Sequence, residues 1–343
     1  MRNLLAEMSR QRPTLAVTLY APPDDHAPLR EELVARAPAL APRLAFAPPG
    51  ALPRARAGVA WYPWAVLPRA VPPLPLVVSL HDLAPMLQHD HRWWKVAKRL
   101  KYRWRFRHTV RRADAVLTLS AFSRAEILRE LGADPRRVHV TLLAADDLPL
   151  ALPDAPAPLV RAGVAEQAPF FLTVGGQEGR KNLRTLYAAM ARLHAEGLAV
   201  PLVQCGPGLG PDTRALAGRA PWLRHVGFVS DAELITLYRR ATALVFPSRY
   251  EGFGLPVLEA MAAGGRVVCA AASSLPEVCG DAALTFPWDD VDALTAQLRR
   301  LLTDPAVGAA LAAAGPAQAA RFSWARTAAE TMAVFDAVAA QRA

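Results

Sequence analysis

The sequence predicts an α/β protein of two units, each built on a parallel sheet. Three observations carry this. Apolar β-like runs alternate with amphipathic helical patterns along the whole chain, the signature of strands joined by crossover helices. The 343 residues exceed what one ordinary core accommodates and suit two domains. A break at residues 148–158 holds four prolines and few apolar residues in register, which reads as a linker.

Taken in order, residues 1–7 read as a helix, followed by strands at 15–19, 76–80, 115–119 and 138–142. Helical stretches at 29–37 and 123–131 separate them. The expected division is a first domain over 1–150, a linker over 151–168 and a second domain over 169–322. In the second half, strands are expected at 170–174, 202–205, 225–228, 243–246, 267–270 and 284–286. Helices are expected at 181–196, 232–240, 291–302 and 305–314, with a last one at 324–340.

Composition narrows the class. The 52% hydrophobic content is inflated by alanine, and no apolar run reaches the ~18 residues that a membrane span needs. Residues 1–12 carry charges throughout and do not read as a signal peptide. Cys205, Cys269 and Cys279 are odd in number and lack metal-ligand spacing, so buried thiols in a reducing cytoplasm are expected.

The net charge of +10 is concentrated in one block. Residues 91–112 hold ten Lys/Arg and no acid, against 40 basic and 30 acidic residues in the whole chain. The block also carries Trp93, Trp94, Tyr102, Trp104 and Phe106. On a helical wheel Trp93, Val96, Ala97, Leu100 and Trp104 share one face, with Lys95, Lys98 and Arg105 opposite. That pattern describes a helix lying on an anionic membrane surface, peripheral to the bilayer. Two other readings stand beside it: a solvated helix whose stripe packs on its own domain, and nucleic-acid binding. The last fits least, because bases want aromatics presented on a sheet or groove.

Chemistry concentrates at residues 243–262. An apolar strand ends at Phe246, a Pro/Ser turn and a glycine loop follow, and a helix starts near Pro256. Gly252 and Gly254 let backbone approach a ligand, and amides at the helix mouth favour an anion. Glu251 sits ahead of the helix and Glu259 about one turn inside it, one carboxylate for hydroxyls on each side of a diphosphate. Upstream, Gly175-Gly176-Gln177-Glu178-Gly179-Arg180-Lys181-Asn182 places two cations after a strand and a flexible loop. Cations at a helix entrance oppose its dipole and need a reason, and a leaving diphosphate supplies one.

These residues resemble the retaining glycosyltransferases of family 4, whose fold is GT-B: two Rossmann-like domains with parallel sheets facing across a cleft. The resemblance rests on Glu251 and Glu259, on Gly227-Phe228-Val229-Ser230-Asp231, and on Ser274-Leu275-Pro276-Glu277-Val278 with Gly280-Asp281. It implies that Arg180 and Lys181 bind the diphosphate and that Glu251 lies beside the donor sugar. Glu259 would grip the ribose hydroxyls. Amides of Gly252, Phe253, Gly254 and Leu255 would face sugar and phosphate, with Gly176 beside them and Val229 passing the base. His81, at a strand end with Asp82 beside it, is implied to reach the donor sugar from the first domain. Gly206-Pro207-Gly208-Leu209-Gly210 reads as a turn rather than a phosphate clamp.

The same resemblance implies a hexosyltransferase with no cofactor and no metal, and the last helix crossing back onto the first domain. Asp146-Asp147 and Asp289-Asp290 read as turn and helix-start acids. The Ser-Ser-Leu-Pro-Glu-Val segment looks most like mannosyltransferases, so GDP-mannose is the expected donor, with UDP- or dTDP-linked sugars as the alternatives, and a lipid-linked or polysaccharide glycan the expected acceptor, with no nucleic acid involved. Family members open with a strand and a glycine-rich loop, whereas this chain opens on the helix that should follow. A misplaced start is expected. The competing readings are a nucleotide-sugar epimerase of the same fold and a non-catalytic, truncated sugar-nucleotide-binding protein.

Overall fold

The computed structural model describes the chain except residues 55–57, 65, 69, 88–92, 166, 177–178, 208–219 and 342–343. Gln177-Glu178, the Gly208-Leu209-Gly210 part of the glycine turn, and His91-Arg92 therefore lie outside the described residues. The chain forms two units, one of Met1–Leu143 with Ser323–Ala343 and one of Ala144–Phe322.

In the first unit β1 (Val17–Tyr20) and β2 (Leu44–Ala47) pair in parallel as a sheet of two strands. A four-stranded parallel sheet in the order β3-β4-β5-β6 comprises Ala60–Tyr62, Leu76–Ser79, Ala115–Thr118 and Val138–Val140. β4 and β5 are buried on both faces, as parallel strands between helices must be. The helix Ala121–Leu131 starts on Ser120, whose hydroxyl accepts the Ser123 N–H at 3.0 Å, and stops at Gly132 in the left-handed region.

The last helix, Trp324–Ala340, completes this unit. Its Ala328 and Met332 meet Leu4, Leu5 and Met8 of the first helix, Arg2–Gln11. Its Val334 and Val338 cover Val77, Ala115 and Leu117. Arg12 clamps Asp336 with two hydrogen bonds of 2.8 and 2.5 Å.

The second unit holds a six-stranded parallel sheet in the order β12-β11-β10-β7-β8-β9. The strands are β7 (Phe171–Val174), β8 (Leu202–Cys205), β9 (Leu223–Gly227), β10 (Ala243–Phe246), β11 (Val267–Ala270) and β12 (Leu284–Phe286). Order reverses between β7 and β10, the first strands of the two halves. The three cysteines are buried and free, and burial pushes the Cys205 thiol up to about 12.

Three local differences from the sequence reading have physical causes. β2 and β3 are short and bounded by prolines (Pro42, Pro48, Pro63), so no apolar run announced them. The expected linker residues instead belong to the second unit. There Pro158 sits in the first turn of the helix Ala157–Ala162, Ala155 N–H donates to Thr236 Oγ1 at 2.8 Å, and Arg161 pairs with Glu233 at 3.0 Å. The helix expected at 305–314 runs on to Ala319 through Pro316, held by close packing of Gly315 on Met261.

Candidate active site

In a doubly wound sheet, ligands bind beyond the carboxyl ends of the strands where the order reverses. Here that place is bounded by the loops after β7 and β10, and both carry the charged residues singled out in the sequence.

The β7 loop leaves through Gly175, whose φ of 116° suits glycine. It then winds into a 3-10 turn, Gly179–Lys181. Both cations of that turn converge on one carboxylate from the β10 loop. Arg180 Nη1 lies 2.7 Å from Glu251 Oε2 and Lys181 Nζ lies 2.8 Å from Glu251 Oε1. The Lys181 ammonium also sits 4.7 Å over the Phe246 ring at the end of β10, a cation–π contact.

Backbone ties hold the two loops in register: Arg249 N–H donates to Arg180 C=O at 2.9 Å. Asn182, left-handed with φ 52°, donates from Nδ2 to the Pro247 carbonyl at 3.2 Å and the Trp288 carbonyl at 2.5 Å. The cations immediately precede the helix Leu183–Ala195 rather than entering its first turn, and Glu251 offsets their charge beside its positive end.

The glycine loop after β10 is buried and latched by two serines. Ser273, left-handed with φ 53°, accepts the Glu251 N–H on Oγ at 2.9 Å. Ser274 Oγ reaches the Glu251 and Phe253 carbonyls at 3.0 and 2.7 Å. The Phe253 ring turns inward onto Phe322, edge to face at 5.8 Å. Gly254 precedes the helix Leu255–Ala262, which has Pro256 in its first turn. At φ 112°, a Cβ on Gly254 would stand 2.7 Å from Leu275 Cδ2, so both backbone and space demand glycine there. First-turn N–H groups of a helix have no carbonyl a turn back to bind, so this end favours an anion.

Glu259, a turn further on, accepts a 2.9 Å hydrogen bond from the Tyr238 hydroxyl. Burial raises its carboxyl above the ordinary range, the Tyr238 bond opposes that rise, and the charges of Asp147 and Asp231 add to it. A half-buried carboxylate of this kind, with room left on its oxygens, is suited to accept hydroxyl donors from a ligand.

The rim is built from close backbone approach. A Cβ on Gly206 would stand 3.1 Å from the Gly175 carbonyl, and one on Gly176 would stand 3.5 Å from Pro207. Val229 is half-buried between β9 and Ser230, which caps the helix Asp231–Arg240 reciprocally with Glu233. Asp290 caps the helix Val291–Thr303 through Ala293 N–H, and Asp146-Asp147 lie in a turn.

In the first unit His81 follows β4 directly, at its carboxyl end. Burial lowers its pKa, the Asp82 charge works against that, and the chain's amino terminus adds to it. Asp82 Oδ1 is engaged by Ala84 N–H at 2.8 Å, and the ring stands edge-on to Trp64, 6.2 Å between centroids. Among the described residues no group of three or more His, Cys, Asp or Glu is placed to hold a metal ion.

Residues 168–304 match the family description "Glycosyl transferases group 1", and residues 1–146 match "Glycosyltransferase Family 4". The chain belongs to these glycosyltransferases. Among curated relatives of the family, it is 40% identical over 220 residues to the O-antigen chain mannosyltransferase B of Escherichia coli, covering 62% of this chain and 58% of that protein. It is 33% identical over 281 residues to the MMP alpha-(1->4)-mannosyltransferase of Mycolicibacterium hassiacum, covering 76% of this chain and 65% of that one. The chain thus spans a little under two thirds of either relative. Among solved structures, HepE of Anabaena in complex with UDP-glucose superposes with a TM-score of 0.69 at 17% identity, over 99% of this chain and 95% of that one. The fold is accordingly that of the GT-B glycosyltransferases.

The sequence reading missed Tyr238 and gave no role to Asn182, Ser273 or Ser274, which it held only as members of longer motifs. The doublet Ser273-Ser274 beside Leu275-Pro276 was visible as part of the family pattern, but its hold on the glycine loop is a tertiary contact. Nothing in the local sequence marks Tyr238, which stands on an ordinary amphipathic helix.

Proposed function

We propose that this glycosyltransferase moves a sugar, mannose by preference, from a nucleoside-diphosphate donor onto a lipid-linked or polysaccharide acceptor, with retention at the anomeric carbon. The observation that carries the proposal is the convergence of Arg180 and Lys181 on Glu251 where the strand order reverses. Two cations held within reach of one point, beside amides of a helix mouth, suit a departing diphosphate. The names of the two curated relatives support mannose as the sugar and, through the first, a cell-surface glycan as the product.

The chemistry follows from charge. As the bond from the anomeric carbon to the phosphate oxygen breaks, negative charge grows on that oxygen, and preorganised cations stabilise it. Arg180 offers a fork of donors and Lys181 a compact charge. Glu251 orients both cations and lies beside the donor sugar. Glu259 accepts ribose hydroxyls. The departing phosphate takes the proton of the attacking acceptor hydroxyl, so no protein base is required. His81, whose pKa is lowered by partial burial, serves as a hydrogen-bond partner of the donor sugar. GDP is the favoured nucleotide, and the work is done in the cytoplasm.

A thermal-shift panel of nucleoside diphosphates and their sugars tests the reading, because a ligand that binds only the folded state raises the midpoint. GDP-mannose is expected to give the largest shift, and Lys181→Ala to remove it. The proposal fails if no nucleotide sugar shifts the midpoint. It fails equally if Lys181→Ala and Glu251→Ala transfer sugar as the unsubstituted protein does.

A further inference from the structure

The loops after β7 and β10 hold a third cation that the chemistry above does not use. Arg249 stands two residues before Glu251 in the β10 loop. Its N–H is fixed to the Arg180 carbonyl at 2.9 Å, which lays the residue along the turn Gly179–Lys181. Its half-buried side chain runs over the head of that turn: a Cβ on Gly179 would stand 4.0 Å from Arg249 Nη2. Arg161, Arg192, Arg239 and Arg299 of the same unit each pair with a carboxylate, whereas Arg249 pairs with none among the described residues.

The other two cations are already engaged. Arg180 and Lys181 both bind Glu251, and that carboxylate is no passing counter-ion. Its N–H and its carbonyl are latched by Ser273 and Ser274 at 2.9 and 3.0 Å, and its side chain is only 10% exposed. It therefore stays near the pair and cancels part of the charge they offer an anion. Three cations around one carboxylate leave two positive charges in excess, and without Arg249 only one would remain. A diphosphate esterified to a sugar and a nucleoside carries one negative charge on each phosphate, so the third cation completes the match. It is also the one that a phosphate meets without first displacing a carboxylate, and an arginine fork suits phosphate oxygens.

We propose that Arg249 is the capture cation of the donor site, binding a phosphate of the nucleoside diphosphate on arrival while Arg180 and Lys181 are still held by Glu251. This rests on the donor reading given above and adds to it a binding residue and an order of events. A charge that acts at encounter sets the association rate and its dependence on salt. The Arg249 charge therefore counts most while Glu251 masks the other two cations, and least once that carboxylate is removed.

Calorimetry and stopped-flow binding of GDP and UDP to the 343-residue protein, at low and high salt, decide it. Arg249→Gln is expected to lower affinity about tenfold, chiefly through slower association, and to flatten the loss of affinity as salt rises. Arg249→Lys keeps the charge and is expected to bind within about threefold of the unsubstituted protein. On a Glu251→Gln background, Arg249→Gln is expected to cost about threefold or less, because Arg180 and Lys181 are then unmasked. Thermal midpoints without nucleotide check folding, and Arg249→Met, which keeps an apolar stem and drops the charge, replaces the glutamine variant if that one melts early. If the unsubstituted protein binds GDP or UDP and Arg249→Gln binds it equally well, this proposal fails and the donor reading stands. Equal losses for the lysine and glutamine variants overturn it too, as does the full tenfold cost on the Glu251→Gln background. If the unsubstituted protein binds neither nucleotide, the donor reading fails and takes this proposal with it.

Discussion

The Tyr238 hydroxyl donates 2.9 Å to Glu259 Oε2, tying the helix Asp231–Arg240 to the helix Leu255–Ala262. The tyrosine is fully buried and its phenol is held well above its ordinary pKa by that burial and by the carboxylate. Glu259 is thus a carboxylate whose ionisation is disfavoured by desolvation and eased by a neutral donor.

A cost of this kind makes a stability prediction with a definite sign. Because burial raises the folded pKa of Glu259 above 4.5, ionisation is penalised in the native state. The penalty is complete above the raised pKa and disappears as pH falls below 4.5. Glu259→Gln is expected to raise the thermal midpoint at neutral pH, by about 2–4 °C for each kcal/mol relieved, and to leave it unchanged in acid. The same variant is expected to weaken nucleotide binding. Melting curves across pH, with and without nucleotide, check both halves.

Glu251 occupies the place where the cations would meet an anion. Removing its charge should therefore divide affinity from turnover. Glu251→Gln is expected to tighten nucleoside diphosphate binding about tenfold, or ~1.4 kcal/mol. Transfer is expected to fall by about 10² or more, because the cations lose the partner that orients them. Calorimetry and initial rates measure the two effects separately.

Two glycines in the left-handed region distinguish strain from collision. Gly264, with φ 79° and nothing within 4 Å of a built Cβ, should tolerate alanine at about 1 kcal/mol. Gly254 has a comparable φ penalty together with the Leu275 methyl at 2.7 Å. Gly254→Ala is expected to cost about 2–4 kcal/mol. If the two alanine variants unfold at the same denaturant concentration, the packing account of the glycine loop is wrong.

His81 makes the opposite pH statement. Burial lowers its folded pKa below 6.5, so the unfolded chain binds the proton first as the solution is acidified. Its effect on stability is nil above 6.5, and stability is lost as pH falls from there through the lowered pKa. His81→Gln is expected to flatten that part of the stability profile, and a ring titration followed by NMR should show a midpoint under 6.5.

What the sequence displayed and what it hid divide along physical lines. The strands at 202–205, 243–246, 267–270 and 284–286 coincide with β8, β10, β11 and β12, because buried parallel strands are continuous apolar runs. β2 and β3 escaped because four and three residues between prolines carry no periodicity. Arg180, Lys181 and Glu251 were legible as charged residues bracketing glycine loops, and the structure joins them in one ion-paired cluster. Tyr238 and the serine latch were not, since a hydroxyl declares its partner only once distant segments meet. The outward tilt of Leu100 and Trp104 was likewise unreadable: a wheel shows which residues share a face, not which face the core claims.

The placement of Trp324–Ala340 against Leu4, Leu5, Met8, Val77, Ala115 and Leu117 has a consequence for biogenesis. The half that leaves the ribosome first cannot seal its interior until the last helix has been translated, whereas the sheet of Ala144–Phe322 is contiguous in sequence and can mature on its own. Until that helix emerges, the nascent first unit keeps an open apolar seam along Leu4, Leu5, Met8, Val77, Ala115 and Leu117.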